Sequence, residues 1–170
     1  MTTTPSPFNA VTIGPLTLRN RFINSGANEA MCIDGRPTRA LVKHHRELAA
    51  GGVGMTTVAY MAVAPEGRTL PNQIWMREEA LPDLKVLTGA VHEEGCAISA
   101  QLTHGGSFVT GMKVKGRTIS SCGGFNPAGA LKGNLFSRAM NEADMARVTD
   151  EFVRAAQLCR EAGFDALELH

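Results

Sequence analysis

A chain of 170 residues with a formal charge of +1 holds one sizeable core and lacks the basic surplus of a nucleic-acid binder. With 44% apolar and 19% charged residues it reads as an ordinary globular protein, and no apolar run reaches the roughly 20 residues of a membrane span. The opening Met1-Thr-Thr-Thr-Pro-Ser-Pro7 has neither the basic start nor the apolar stretch of a secretory signal, so a cytoplasmic setting is expected. Cys32, Cys96, Cys122 and Cys159 are too scattered for a zinc site or a redox dithiol and read as plain thiols; no metal is expected. The expected partner is a small molecule or another protein chain.

Phe8 to Arg19 holds two short β-like stretches around Gly14-Pro15, which predicts a hairpin ahead of the main fold, placed to plug the bottom of a barrel. Arg21 to Ser25 reads as a first strand, ended by the small residues Gly26-Ala27. Thr38 caps a helix with Leu41, His45 and Leu48 on one stripe, and Gly51-Gly52 ends it. Val53 to Ala59 supplies a second strand. Pro82 opens a second helix with Leu84, Leu87 and Val91 on one face, closed by Gly95. Ala97 to Leu102 is the third strand, with Ser99 and Gln101 on one face and Ile98, Ala100 and Leu102 toward the helices. From Thr103 to Met140 no period is sustained, and the connection is far longer than a βα loop needs. Asn141, with Asp144 three residues on, caps a long helix whose buried stripe is read as Met145, Val148, Phe152, Ala156 and Cys159, with Asp144, Arg147, Asp150, Glu151 and Arg154 on its wet side. A break at Glu161-Ala-Gly163 leads to a fourth strand, Phe164 to His170, placing Ala166, Glu168 and His170 on one face and Asp165, Leu167 and Leu169 on the other.

Strands alternating with helices predict an α/β fold with parallel strands, of the TIM (β/α)8 barrel kind. A complete barrel takes about 250 residues, so 170 residues are expected to form roughly its first four strands and to belong to a larger catalytic unit. On this reading residues 1–20 are a hairpin segment and 21–170 are strands 1 to 4 with their helices. Two open sheet edges predict self-association or a complementing carboxyl-terminal half-barrel. Ser25, Ala59 to Tyr60, Gln101 and His170 should converge at the carboxyl rim. Small residues at 25–27 let a flat ring approach the backbone, Gln101 offers a donor and an acceptor, and His170 can donate to a carbonyl or anionic oxygen. Each also has a plain structural reading: Gln101 as a loop-capping hydrogen bonder, Asn28 as a strand terminator, His104 as part of a turn, Glu168 as a buried carboxylate paired with a base. His45 reads as a satisfied packing residue, His44 and His92 as solvent-facing.

Six stretches form an ordered pattern: Ile13-Gly-x-Leu-x-Leu-Arg-Asn-Arg21, Asp34-Gly-x-Pro-Thr38, Gly51-Gly-Val-Gly54, Pro65-Glu-Gly-Arg68, Gln101-Leu-Thr-His-Gly-Gly106 and Ala162-Gly-Phe-Asp-Ala-Leu-Glu-Leu-His170. The set resembles the Old Yellow Enzyme family, and most closely its bacterial NADH:flavin oxidoreductase and 2,4-dienoyl-CoA reductase branch. That resemblance implies a TIM barrel holding FMN, with NADH or NADPH as hydride donor, and covers the amino-terminal half of the family's barrel. It places Ser25, Gly26, Ala27 and Asn28 around the flavin ring, with Asn28 near N5 and O4. Tyr60 falls beside the flavin where the family often has a small residue, and Gln101 on the pyrimidine edge. His170 matches the first member of a pair that holds the electron-withdrawing oxygen of the substrate. The chain departs from the family at Gly26-Ala27, where Pro-Met or Pro-Leu is common, and at Asn28, where Thr or Cys is common. The implied activity is an FMN-dependent NAD(P)H oxidoreductase of the ene-reductase type, passing hydride through flavin to an activated alkene. The alternative is a non-catalytic half-barrel that serves as a structural or assembly subunit completed by another chain.

Overall fold

Four parallel strands form the centre of the fold, and the third is buried on both faces because helices cover one side while polar side chains of neighbouring strands close the other. The computed structural model describes residues 6–109, 118–127 and 133–170. Residues 1–5 of the opening, and 110–117 and 128–132 of the long connection, lie outside the described residues.

In chain order, β1 (Val11–Ile13) and β2 (Leu16–Leu18) pair antiparallel as the expected hairpin. The first strand of the parallel sheet, β3, is shorter than expected, Ile23–Asn24. A small antiparallel pair that periodicity did not announce follows, β4 (Cys32–Ile33) and β5 (Arg36–Pro37). Then come α1 (Arg39–Ala50), β6 (Met55–Ala62), α2 (Leu81–His92) and β7 (Ala97–Thr103). The connection expected to be irregular contains a three-stranded sheet, ordered β8 (Thr118–Ser120), β10 (Phe136–Ala139), β9 (Gly124–Phe125). Strands of two to four residues are too short to leave a period in the sequence. α3 (Glu142–Ala162) and β11 (Ala166–Leu169) complete the described chain.

The parallel sheet runs β3-β6-β7-β11, with Ile23 opposite Met55, Met55 opposite Ala97 and Ser99 opposite Ala166. Leu41 and Ala49 of α1, Leu84, Leu87 and Val91 of α2, and Ala155, Leu158, Cys159 and Ala162 of α3 share one cluster with Val58, Ile98, Ala100 and Leu102 of the strands. Burying each leucine fully contributes about 1.5–3 kcal/mol. Arg19, just after β2, donates to the carbonyls of Val53 (2.9 Å), Glu94 (2.8 Å) and Ala49. These carbonyls precede β6 and β7 or end α1, so Arg19 ties the hairpin to the amino-terminal end of the sheet, the end expected for it. The four cysteines are unpaired, and burial pushes the Cys32 and Cys159 thiols up to about 12. No helix among the described residues is long and apolar enough to cross a membrane.

The stripe expected on α3 is rotated. Met145 is 50% exposed, Val148, Phe152 and Ala156 are half-buried, and the inward positions are Ala155, Leu158, Cys159 and Ala162. Asp144, expected on the wet side, is buried by its own pairing: it receives the Arg138 guanidinium and closes a capping box with Asn141. Asn141 Oδ1 accepts from Asp144 N–H at 2.8 Å, and Asp144 Oδ2 accepts from Asn141 N–H at 3.0 Å. Arg138 holds the Asp144 carboxyl well below the usual carboxylate range. At the other end Gly163, at φ 91°, turns the chain into β11, a left-handed conformation that a side chain would strain. Leu167 and Leu169, on the face of β11 opposite Glu168 and His170, are exposed, Leu169 by 74%. His44, expected in solvent, is half-buried with its ring edge-on to His45, centroids 5.2 Å apart. Replacing Asn141 with alanine removes one arm of the capping box and should lower unfolding stability by about 1 kcal/mol in urea titrations, without change in the slope of the transition.

Candidate functional site

Parallel pairing in register brings the carboxyl ends of β6, β7 and β11 together, and the polar side chains expected there interlock. Gln101, on β7, is 4% exposed. Its Oε1 accepts the Tyr60 backbone N–H at 3.2 Å, and its Nε2 donates to Glu168 Oε1 at 2.8 Å. An N–H can only donate and an ionised carboxylate can only accept, so both partners dictate the same amide orientation. One Nε2 proton and one Oε1 lone pair are left over.

Tyr60 lies inside β6, not past its end as expected from sequence. The ladder with β7 shifts register between Val58 and Met61, and Tyr60 sits in this bulge at φ 53°. A bulky residue in the left-handed region costs about 1–3 kcal/mol. Its backbone N–H is thereby aimed at Gln101, and its ring rests tilted on the His170 imidazole with centroids 5.3 Å apart. His170 continues the β11 ladder by donating its backbone N–H to Leu102 O at 2.9 Å. Its side chain is 47% exposed, with Nδ1 3.7 Å from Glu168 Oε1. Glu168 is therefore not the buried carboxylate of the structural reading: it is half in solvent, its hydrogen-bond donor is an amide, and the base near it is the His170 imidazole.

The segment after β3 approaches the same amide. A Cβ built on Gly26 would stand 2.7 Å from Gln101 Nε2, so Gly26 packs its bare backbone against the site. Ser25, Ala27 and Asn28 are exposed on this segment. The next residue, Glu29, escaped the sequence reading although it anchors the segment: its Oε1 accepts the Ala59 N–H at 3.4 Å and lies 3.5 Å from His45 Nε2. His45 packs in the core as expected, fully buried with Nδ1 2.9 Å from Thr56 Oγ1, but it is not fully satisfied: its buried Nε2 has no hydrogen-bond partner and only faces the Glu29 carboxylate. A buried imidazole needs partners, and that need was the available signal for a nearby carboxylate. His92, also set aside as solvent-facing, is exposed and pairs with Asp165 at 2.9 Å.

His104, read as part of a turn, takes part in a charged cluster. Its Nδ1 accepts the Gly106 N–H at 3.1 Å, which assigns the proton to Nε2. Nε2 is buried beside Glu66 and Glu151, and the three side chains place ligating atoms within 4.8 Å of one another. Arg147 already occupies both carboxylates, with Nη1 at 2.5 Å from Glu66 and 2.6 Å from Glu151, so its charge opposes a metal cation there. Burial lowers the His104 affinity for a proton, with Arg147 adding to the effect and Glu66 opposing it, and burial raises the Glu151 carboxyl. Between this cluster and His170 lies a cavity of about 400 Å³, lined among others by Phe108, Ile119, Met140 and Phe152.

Two outcomes follow. Gly26→Ala forces the Gln101 amide out of a position where two hydrogen bonds hold it, so it should destabilise the protein by about 1–3 kcal/mol in chemical denaturation. His104 stays neutral more readily in the folded state than in the unfolded chain, whose imidazole takes its proton near pH 6.5. Its contribution is therefore complete above that value and is lost as pH falls below it. Unfolding midpoints from pH 7 to 5 should fall less in His104→Gln than in the unsubstituted protein.

Residues 6–170 match the model of the NADH:flavin oxidoreductase / NADH oxidase family. Among curated relatives, the 4,4'-dithiodibutanoate disulfide reductase of Rhodococcus erythropolis is 39% identical over all of this chain and 42% of its own length. The NADPH dehydrogenase of Bacillus subtilis is 31% identical over 96% of this chain and 47% of its own. The chain thus spans about half the length of these two relatives. The Old Yellow Enzyme homologue of Zymomonas mobilis superposes with a TM-score of 0.88 at 22% identity, over 98% of this chain and 48% of that one. The fold is accordingly that of a TIM barrel of Old Yellow Enzyme type, of which these residues supply the hairpin and roughly the first four strands, as the motifs implied. Motifs quoted from six stretches, the parallel register and the matched span agree, and the chain belongs to the NADH:flavin oxidoreductase / NADH oxidase family of FMN-using oxidoreductases.

Proposed function

We propose that the protein is an FMN-dependent NAD(P)H:acceptor oxidoreductase of the ene-reductase type, with residues 1–170 the amino-terminal half of its flavin-binding barrel. The open edges of β3 and β11 and the exposed Leu167 and Leu169 support completion by further strands, from the same polypeptide or from a second chain. The observation that carries the reading is the adjacency, at neighbouring strand ends, of a Gln101 amide with a donor and an acceptor to spare and the half-exposed imidazole of His170.

The residues fit a flat heteroaromatic ring. The Gln101 amide fills the place a Gly26 Cβ would take, so the absent side chain seats that amide at the strand end, where its free edge would meet a planar group. Bound FMN supplies the two-electron carrier between NAD(P)H and the acceptor. Gln101 holds the pyrimidine edge through its remaining N–H and lone pair, and Ser25, Gly26, Ala27 and Asn28 line the ring, with the Asn28 amide offered to its N5 and O4 side. Tyr60 contributes backbone beside the ring. His170 donates to the acceptor's carbonyl oxygen, where negative charge grows as the β carbon gains hydride and is discharged when the α carbon gains a proton.

A second acceptor class comes from the Rhodococcus relative, whose name specifies a disulfide, at 39% identity over the whole chain. A dialkyl disulfide takes two electrons and two protons to give two thiols, so the same reduced carrier serves it. In the flavin-loaded protein, His170→Ala should slow reduction of an α,β-unsaturated ketone by roughly 10²–10³ fold and leave NAD(P)H oxidation nearly unchanged, as read by stopped-flow absorbance of each half-reaction. An unaltered rate with the ketone returns His170 to a structural role. Turnover with 4,4'-dithiodibutanoate and none with the ketone selects the disulfide class.

A further inference from the structure

We infer that Glu168 is a positioning residue for the flavin site: through the Gln101 amide it decides which donor and acceptor the β7 strand end presents. The inference rests on the flavin reading above and adds to it a residue whose side chain points at the amide. Glu168 and Gln101 are direct partners across the β11–β7 ladder, so their side chains emerge from the same face at neighbouring positions. Glu168 Oε1 takes the Nε2 proton at 2.8 Å and faces His170 Nδ1 at 3.7 Å. One carboxylate oxygen thus borders both groups given to ligand binding.

Without Glu168, Gln101 keeps a single tie, the 3.2 Å bond from Tyr60 N–H. That bond alone fixes neither the pivot of the amide about its long axis nor the direction of its second proton. A side chain 4% exposed would also be left with an unsatisfied donor, which weakens any function that depends on its aim. Glutamate meets the requirement because it accepts and does not donate. A glutamine in its place can present its oxygen and serve, whereas alanine cannot.

The test separates support of the fold from aim at the ligand. Free FMN is titrated into flavin-stripped protein, with affinity read from quenching of flavin fluorescence, alongside thermal unfolding of the same flavin-free samples. Glu168→Ala should weaken FMN binding roughly tenfold or more, while Glu168→Gln, which keeps shape and an acceptor, should stay within about threefold. In the exchanged pair Gln101→Glu with Glu168→Gln, residue 101 still accepts from Tyr60 N–H and now accepts from residue 168. The inter-strand bond is restored, and residue 101 has no proton left for a ligand. The unfolding midpoint should therefore return toward that of the unsubstituted protein while FMN affinity stays as low as in Glu168→Ala. FMN affinity unchanged in Glu168→Ala, or recovered in the exchanged pair, overturns the inference and leaves Glu168 a sheet-stabilising residue. All titrations use the protein with its barrel completed by the remaining strands, and an unsubstituted protein so completed that takes up no FMN overturns the flavin reading itself.

Discussion

A buried primary amide has four hydrogen-bonding sites, and leaving them unmet in a protein interior costs about 1–3 kcal/mol for each lost partner. Gln101 imposes that demand at the end of β7, and the geometry around it follows from meeting it. The β6 ladder breaks register so that a backbone N–H reaches Oε1, β11 pairs so that a carboxylate reaches Nε2, and residue 26 has no Cβ because the amide occupies that space. The left-handed Tyr60 is the strained member of this arrangement. Such strain persists where surrounding structure over-determines it, here by strand pairing on both sides of the bulge and by a ring seated on His170.

The layers beneath provide the rigidity on which this depends. Leucines at 0% exposure on α2 and the alanines and Cys159 on α3 press against Ile98, Ala100 and Leu102, so β7 is held from behind while its other face carries Ser99, Gln101 and Thr103. Polar residues gather on the face away from the helices because that is where they find one another. Charged groups close the rim: Arg147 draws Glu66, from the turn after β6, and Glu151, on α3, to one guanidinium beside His104, which follows β7. Loops after two strands are in this way pinned to the helix that leads into the next strand.

Most of the frame was legible because long elements repeat. Thr38, Pro82, Asn141 and Gly163 mark helix ends by local chemistry, and the alternation in Ala97 to Leu102 separates its two faces without tertiary information. The α3 stripe differs from its apolar spacing for a physical reason: Met145 in the first turn and Val153 at mid-helix are left uncovered, so apolar spacing does not report the buried face, while the small Ala155 and Ala162 carry the close packing. The strands of the 103–140 connection are too short to show a period, and the bulge at Tyr60 depends on a partner strand some forty residues away. Of the site, the positions were readable from strand ends and motifs. The partners were not: Glu168 was visible as a same-face neighbour of His170, but its bond to Gln101 needs the β11–β7 register, and Glu29 needs the fold of the segment after β3.

Two of the positions where the motifs depart from the resemblance touch the strand-end groups: Gly26 packs on the Gln101 amide and the Tyr60 ring on the His170 imidazole. That ring lies against His170, so any group that reaches the imidazole must share space with it. Gly26 acts on the Gln101 side, where its missing Cβ makes room for the amide itself. A scaffold keeps its fold at 22% identity to the Zymomonas structure because the frame is fixed by the core behind β7, whereas side chains on strand ends and bulges lie outside that core and are free to differ.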